Sequence, residues 1–139
     1  MKFIKITVNN TNEEVDAILS DFDSTSLGFV GKLYLNVKHI EFDLEDGRGM
    51  MYAEMEERQV NKLLSIYVKY GVDFSYEDIT KFVLFGNIPP VNEEKCEELK
   101  ALIKLFIEDN LDTDTVLEKI SEVGYHKLTE CDFKVLQAH

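Results

Sequence analysis

An α+β fold is predicted: an antiparallel sheet of three to five strands with about four to five helices packed on one face. Three observations carry this reading. Segments that alternate apolar and polar residues concentrate before residue 56, and segments with helical spacing fill most of the chain after it. The regular strand–helix alternation of a parallel nucleotide-binding sheet is absent. Hydrophobic residues make up 45% of the 139-residue chain, enough for a core that a disordered chain of similar charge lacks. That length fits one domain spanning 1–139, because domains typically run to roughly 100–150 residues.

The elements are taken in chain order. Lys2 to Val8 alternates as a strand, with Ile4, Ile6 and Val8 on one face. Thr11 and Glu14 have the spacing of a capping box, in which the hydroxyl takes the third helical amide and the carboxylate reaches back to the cap. Val15, Ile18, Leu19 and Phe22 continue it as one helical face. Residues 23–28 are polar and read as a loop. The run 29–44 is strand-like but changes phase. Leu33, Leu35 and Val37 are odd-numbered, whereas Ile40, Phe42 and Leu44 are even, so a bulge or turn is expected near Lys38-His39. Glu45 to Gly49 contains Asp-Gly and reads as a hairpin loop, returning through Met50 to Met55.

Helices dominate from residue 56 onward. Val60, Leu63, Leu64 and Tyr67 form a stripe within 56–70, with Gly71 as its stop. Ser75 and Asp78 resemble a second capping box before Ile79, Phe82 and Val83, and Gly86 ends that helix. Asn87-Ile88-Pro89-Pro90 is a stiff connector. Asn92 is the expected cap of a helix to about Asp109, with Leu99, Leu102, Ile103 and Phe106 inward. Asp112 or Thr113 starts the next, with Val116, Leu117 and Ile120 inward and Gly124 at its end. In 125–137, Cys131, Phe133 and Val135 alternate as in a strand, while Thr129 and Asp132 have capping spacing; the strand is preferred.

Charge excludes whole classes of function. Twenty-seven acids against 15 lysines and arginines leave a net charge of −12, which disfavours direct contact with nucleic acid or an anionic membrane surface. No apolar run approaches the roughly 20 residues of a membrane span, and residues 1–8 are too short for a signal core, so a cytoplasmic location is expected. Cys96 and Cys131 are too few for a disulfide framework and form no CxxC pair. His39, His126 and His139 have no zinc-ligand spacing. Calcium loops begun at Asp21 or Asp112 put Ser26 or Leu117 where glycine is required. Neither a cofactor nor a metal site is expected.

One string resembles a catalytic motif. Val15 to Ser20, followed by Asp21-Phe22-Asp23-Ser24-Thr25, resembles the first motif of haloacid-dehalogenase-type phosphatases, an apolar strand leading into Asp-x-Asp-x-Thr. The resemblance implies a magnesium-dependent phosphatase with Asp21 as nucleophile and Asp23 as general acid/base. It also implies a strand where the capping box and apolar spacing predict a helix, so the two readings exclude one another.

The negative charge is concentrated. Residues 41–57 carry seven acids and one base, and 93–114 carry eight acids and three bases. Glu41, Asp43 and Glu45 alternate with Ile40, Phe42 and Leu44, so their carboxylates are expected to leave one strand face at roughly 6.6–6.8 Å intervals. Phosphates along a nucleic-acid strand have comparable spacing, and a basic protein groove would attract such carboxylates in the same salt-screened way. The expected function is therefore a small acidic protein-binding factor of inhibitor, antitoxin or immunity type, occupying a basic surface of a partner protein, with nucleic-acid-binding surfaces among the candidates. Phage and mobile-element inhibitors supply the analogy. The candidate partner-binding residues are Glu41, Asp43, Glu45 and Asp46, with Glu54, Glu56 and Glu57 next.

Overall fold

The computed structural model describes residues 1–91 and 93–138, with Asp46 and Glu93 described by backbone alone. Asn92, the expected helix cap, lies outside the described residues. The order is β1 (Lys2–Val8), α1 (Asn12–Asp21), α2 (Ser24–Asn36), β2 (His39–Asp43), β3 (Gly49–Met55), α3 (Glu57–Lys69), β4 (Phe74–Asp78), α4 (Thr80–Leu84), α5 (Glu93–Asn110), α6 (Thr113–Val123) and α7 (Glu130–Gln137). Short 3-10 turns occupy Glu45–Gly47 and Tyr125–Lys127. The α+β class is as predicted. Among the described residues there are seven α-helices and one four-stranded antiparallel sheet.

The described chain forms two compact units, 1–78 and 79–139. The first contains the whole sheet, in the order β2-β3-β1-β4. Register places Ile4 opposite Ala53 and Ile6 opposite Met51, so these side chains share a face. They pack with Val30 and Leu33 of α2 and with Val60, Leu63, Ile66 and Tyr67 of α3. The stripe read from 56–70 is thus the core face of α3, and Gly71, with φ of +72°, stops the helix in the left-handed region. The Thr11 capping box forms as expected. The Glu14 amide donates to Thr11 Oγ1 at 3.2 Å, and the Thr11 amide donates to Glu14 Oε1 at 3.1 Å.

Three segments differ from the sequence-based expectation. Residues 24–36, read as loop and strand, are α2. Asp23 caps it by accepting the Ser26 amide at 2.7 Å, and Ser26, Val30 and Leu33 are buried at helical intervals. Leu35, which belonged to the apparent alternation, is 86% exposed. One buried stripe on the sheet outweighs the poor helix propensity of Gly28 and Gly31. Residues 74–78, read as a helix cap, are β4, because pairing with β1 satisfies their backbone. Residues 130–137, read as a strand, are α7, capped by Thr129. These additional helices, α2 and α7, account for the higher helix count.

In the second unit the expected ends of α6 hold. Asp112 caps α6 by accepting from the Thr115 amide at 2.8 Å, and Gly124 comes next with φ of +95°. Leu99, Leu102, Ile103 and Phe106 of α5 are buried, as is Val116 of α6. Leu117, expected inward, is 52% exposed. Lys119 takes the inward place beside Val116, ion-paired to Asp132.

The Asp23 cap gives a measurable pH dependence. The Ser26 backbone amide, then its side chain, hold the Asp23 carboxyl far below the usual carboxylate range. Ionised Asp23 therefore favours the folded state above its unfolded pKa, about 3.9. That contribution disappears as pH falls through the lower folded value. Asparagine caps without titrating. Asp23→Asn should flatten the acid limb of a Tm-against-pH curve below about pH 4; superimposable limbs would refute the assignment.

Candidate functional site

Of the seven acidic candidates in 41–57, the structure groups two. Glu41 and Asp43 lie on β2, an edge strand, opposite Met51 and Gly49 of β3. Being two residues apart, they project from the same face, with exposed side chains. It is the face that carries α2 and α3, reached here at its open edge. Phe42 points to the opposite face, is buried, and meets the Tyr52 ring edge-on at 5.8 Å. The expected alternation is real over these residues.

The continuous line of three carboxylates is not formed. β2 ends at Asp43, and exposed Glu45 opens the 3-10 turn instead of extending the strand. The Leu44 amide donates to the Arg48 carbonyl at 2.9 Å, and Gly47 adopts φ of +74°, which closes the hairpin too early for the strand to reach Glu45. The side chain of Asp46 lies outside the described residues.

Glu54, Glu56 and Glu57 go elsewhere. Glu54 on β3 is only 7% exposed, and its Oε2 has no hydrogen-bond partner among the described residues. Glu56 precedes α3, accepts from Arg58 Nε at 2.8 Å, and its amide donates to Gln59 Oε1 at 2.9 Å. It serves the helix start. Glu57 is exposed in the first turn of α3, where the helix dipole favours an anion.

Beside Glu41 and Asp43 opens a cavity of about 360 Å³ that no sequence pattern announced. Val15, Ile18 and Leu19 of α1, with Phe22 at its C-terminal cap, form one apolar wall. These are the residues whose spacing marked α1 as amphipathic, yet α1 contains no buried residue. Val30 of α2 and Val72 add further apolar surface. Also in the lining, the hydroxyls of Tyr34 and Tyr67 lie 2.9 Å apart in a hydrogen bond between α2 and α3. Burial is the main cause that raises both phenol pKa values, and nearby Glu41 adds to it, so the pair stays protonated at neutral pH. His39 Nε2 lies 3.7 Å from Glu41 Oε1, and the His39 ring meets Tyr34 edge-on.

The signal for the cavity lay in two places. Tyr67 was on the inward stripe of α3, and the apolar face of α1 was visible. Tyr34, however, lay in the stretch read as a strand, so the hydroxyl pair could not be assembled.

The phosphatase resemblance meets a different geometry. Residues 12–21 are helical, and exposed Asp21 ends α1. Asp23 is engaged by the α2 backbone and by Lys69 Nζ at 3.3 Å, while the Asp23 amide donates to Tyr70 Oη at 3.0 Å. No buried strand delivers Asp21, and every pair in the sheet is antiparallel. The motif's strand-borne nucleophile is therefore not built here.

No helix among the described residues is long and apolar enough to cross a membrane. Compared with known proteins, the chain matches no family model, no curated protein and no solved structure.

Proposed function

We propose that this chain is a small acidic protein-binding factor, of inhibitor, antitoxin or immunity type, that occupies a basic surface of a partner protein, nucleic-acid-binding surfaces being one class of candidate. The carrying observation is the pair Glu41 and Asp43, exposed together on one face of an edge strand. Glu45 comes next, on the adjoining turn. Their repulsion costs stability, and a cationic partner offsets that cost. Carboxylates at a rim mainly raise the association rate and set orientation, while affinity needs an apolar anchor. The adjacent apolar wall of α1 supplies surface for one.

The contributions are expected to be unequal. Glu41, Asp43 and Glu45 steer the partner. Glu56 and Glu57 add long-range field from the start of α3. Glu54, being buried, contributes little to an encounter surface.

The test is charge reversal. The partner is first isolated from the source cell on the wild-type chain, and the purified pair is then measured. Glu41→Lys, Asp43→Lys and Glu45→Lys together should weaken binding by at least about tenfold at low salt and reduce its salt dependence. Unchanged affinity with an unchanged salt slope would remove the proposal.

A further inference from the structure

We propose that the cavity enclosed by α1, α2 and the β2–β3 end binds a small amphipathic organic cation, an amine carried on an apolar body. Its volume, about 360 Å³, falls within the roughly 300–1,000 Å³ usual for small-molecule sites. Its lining combines two chemistries, apolar and anionic, and the combination dictates the ligand.

The apolar part of the lining is incompletely packed. Val15, Ile18 and Phe22 are half-buried, and Leu19 is 40% exposed. An amphipathic helix with no buried residue leaves apolar area that a ligand's hydrocarbon body can remove from water. The polar part of the lining is anionic and hydroxylic. It includes Glu41 and Asp43 and the Tyr34–Tyr67 hydroxyl pair, on which Glu41 acts. In their mutual hydrogen bond one hydroxyl donates, and both oxygens keep lone pairs that can accept from an ammonium N–H.

No lysine or arginine side chain lines the cavity among the described residues. Arg48 Nη1 faces Asn9 Oδ1 at 3.5 Å, and Lys69 is engaged with Asp23. His39 is the basic group beside Glu41. A carboxylate ligand would meet two like charges, and a neutral alcohol would forgo their attraction. An ammonium group gains the attraction of the carboxylates while its carbon chain covers α1. The site needs no protein partner, so it can fail while the partner reading stands, and the reverse.

The experiment titrates the full chain at neutral pH with n-hexylamine, 1-hexanol, hexanoate and methylammonium, followed by amide chemical shifts. Hexylamine should shift Val15, Ile18, Val30 and Val72 saturably. Hexanol should bind about three- to tenfold more weakly, the increment expected of two exposed carboxylates. Hexanoate should bind weaker still, and methylammonium, which has no apolar body, should not saturate. Glu41→Gln with Asp43→Asn, both at exposed positions, should bring hexylamine to the affinity of hexanol while the remaining spectrum keeps its dispersion. The proposal is overturned by hexanol binding as tightly as hexylamine in the wild type. It is equally overturned by shifts spread over the acidic surface instead of the cavity, or by failure of every probe to saturate.

Discussion

Asp132→Ala is expected to cost about 3–5 kcal/mol of stability in the second unit, because it strands a buried ammonium. Asp132 and Lys119 are 1% and 2% exposed, and Lys119 Nζ donates to Asp132 Oδ2 at 2.7 Å. The same oxygen accepts from the Thr129 amide at 2.7 Å and from Thr129 Oγ1 at 3.0 Å. One carboxylate therefore holds α6 to α7 and closes the start of α7. Its other oxygen, Oδ1, has no hydrogen-bond partner among the described residues, so the desolvation of this carboxylate is only partly offset. Replacing both partners with apolar residues, Lys119→Met with Asp132→Leu, removes both buried charges. The double variant should recover most of the loss, leaving about 1 kcal/mol for the missing helix cap. Urea unfolding followed by far-ultraviolet circular dichroism measures both. A loss below about 1 kcal/mol in Asp132→Ala would mean that water reaches the pair.

Leu63→Ala should cost a comparable amount, about 2–5 kcal/mol, by a different mechanism. Leu63 is fully buried at the centre of α3's inner face, among Ile4, Ile6, Met51 and Ala53 of the sheet. Truncation loses transfer free energy and leaves a cavity in a layer that relaxes only partly. Val68→Ala on the same helix is the control. Val68 is 70% exposed, so its substitution should change stability by less than about 0.5 kcal/mol. Equal costs at the two positions would contradict the register of α3 on the sheet.

Together the two substitutions test whether 1–139 behaves as one domain. One perturbs residues 1–78 and the other 79–139. A single domain requires probes in both units to report the same shifted transition in each variant. Two separate transitions would divide the chain at Asp78.

Much of this fold could be read from local chemistry. Thr11 with Glu14, Gly71, Asp112 and Gly124 each mark a helix end where expected, because a cap is completed by groups within three or four residues of itself. The segments that misled were those whose pattern suited two structures. Leu33, Leu35 and Val37 alternate as a strand, yet Val30 and Leu33 also satisfy a helix. Cys131, Phe133 and Val135 alternate within a segment whose Thr129–Asp132 spacing is a helix cap.

The amino-acid sequence alone determined the mixed class, the concentration of acid in 41–57 and the alternation that puts Glu41 and Asp43 on one strand face. Tertiary structure decided the rest. It buried Glu54, drew Lys119 inward to Asp132, and joined Tyr34 to Tyr67 beside a cavity. The physical reason is range. A helix cap or a two-residue alternation is satisfied by neighbours along the chain, whereas a burial, an ion pair or a cavity is set by residues 13 to 33 positions away or more, whose arrival no local pattern encodes.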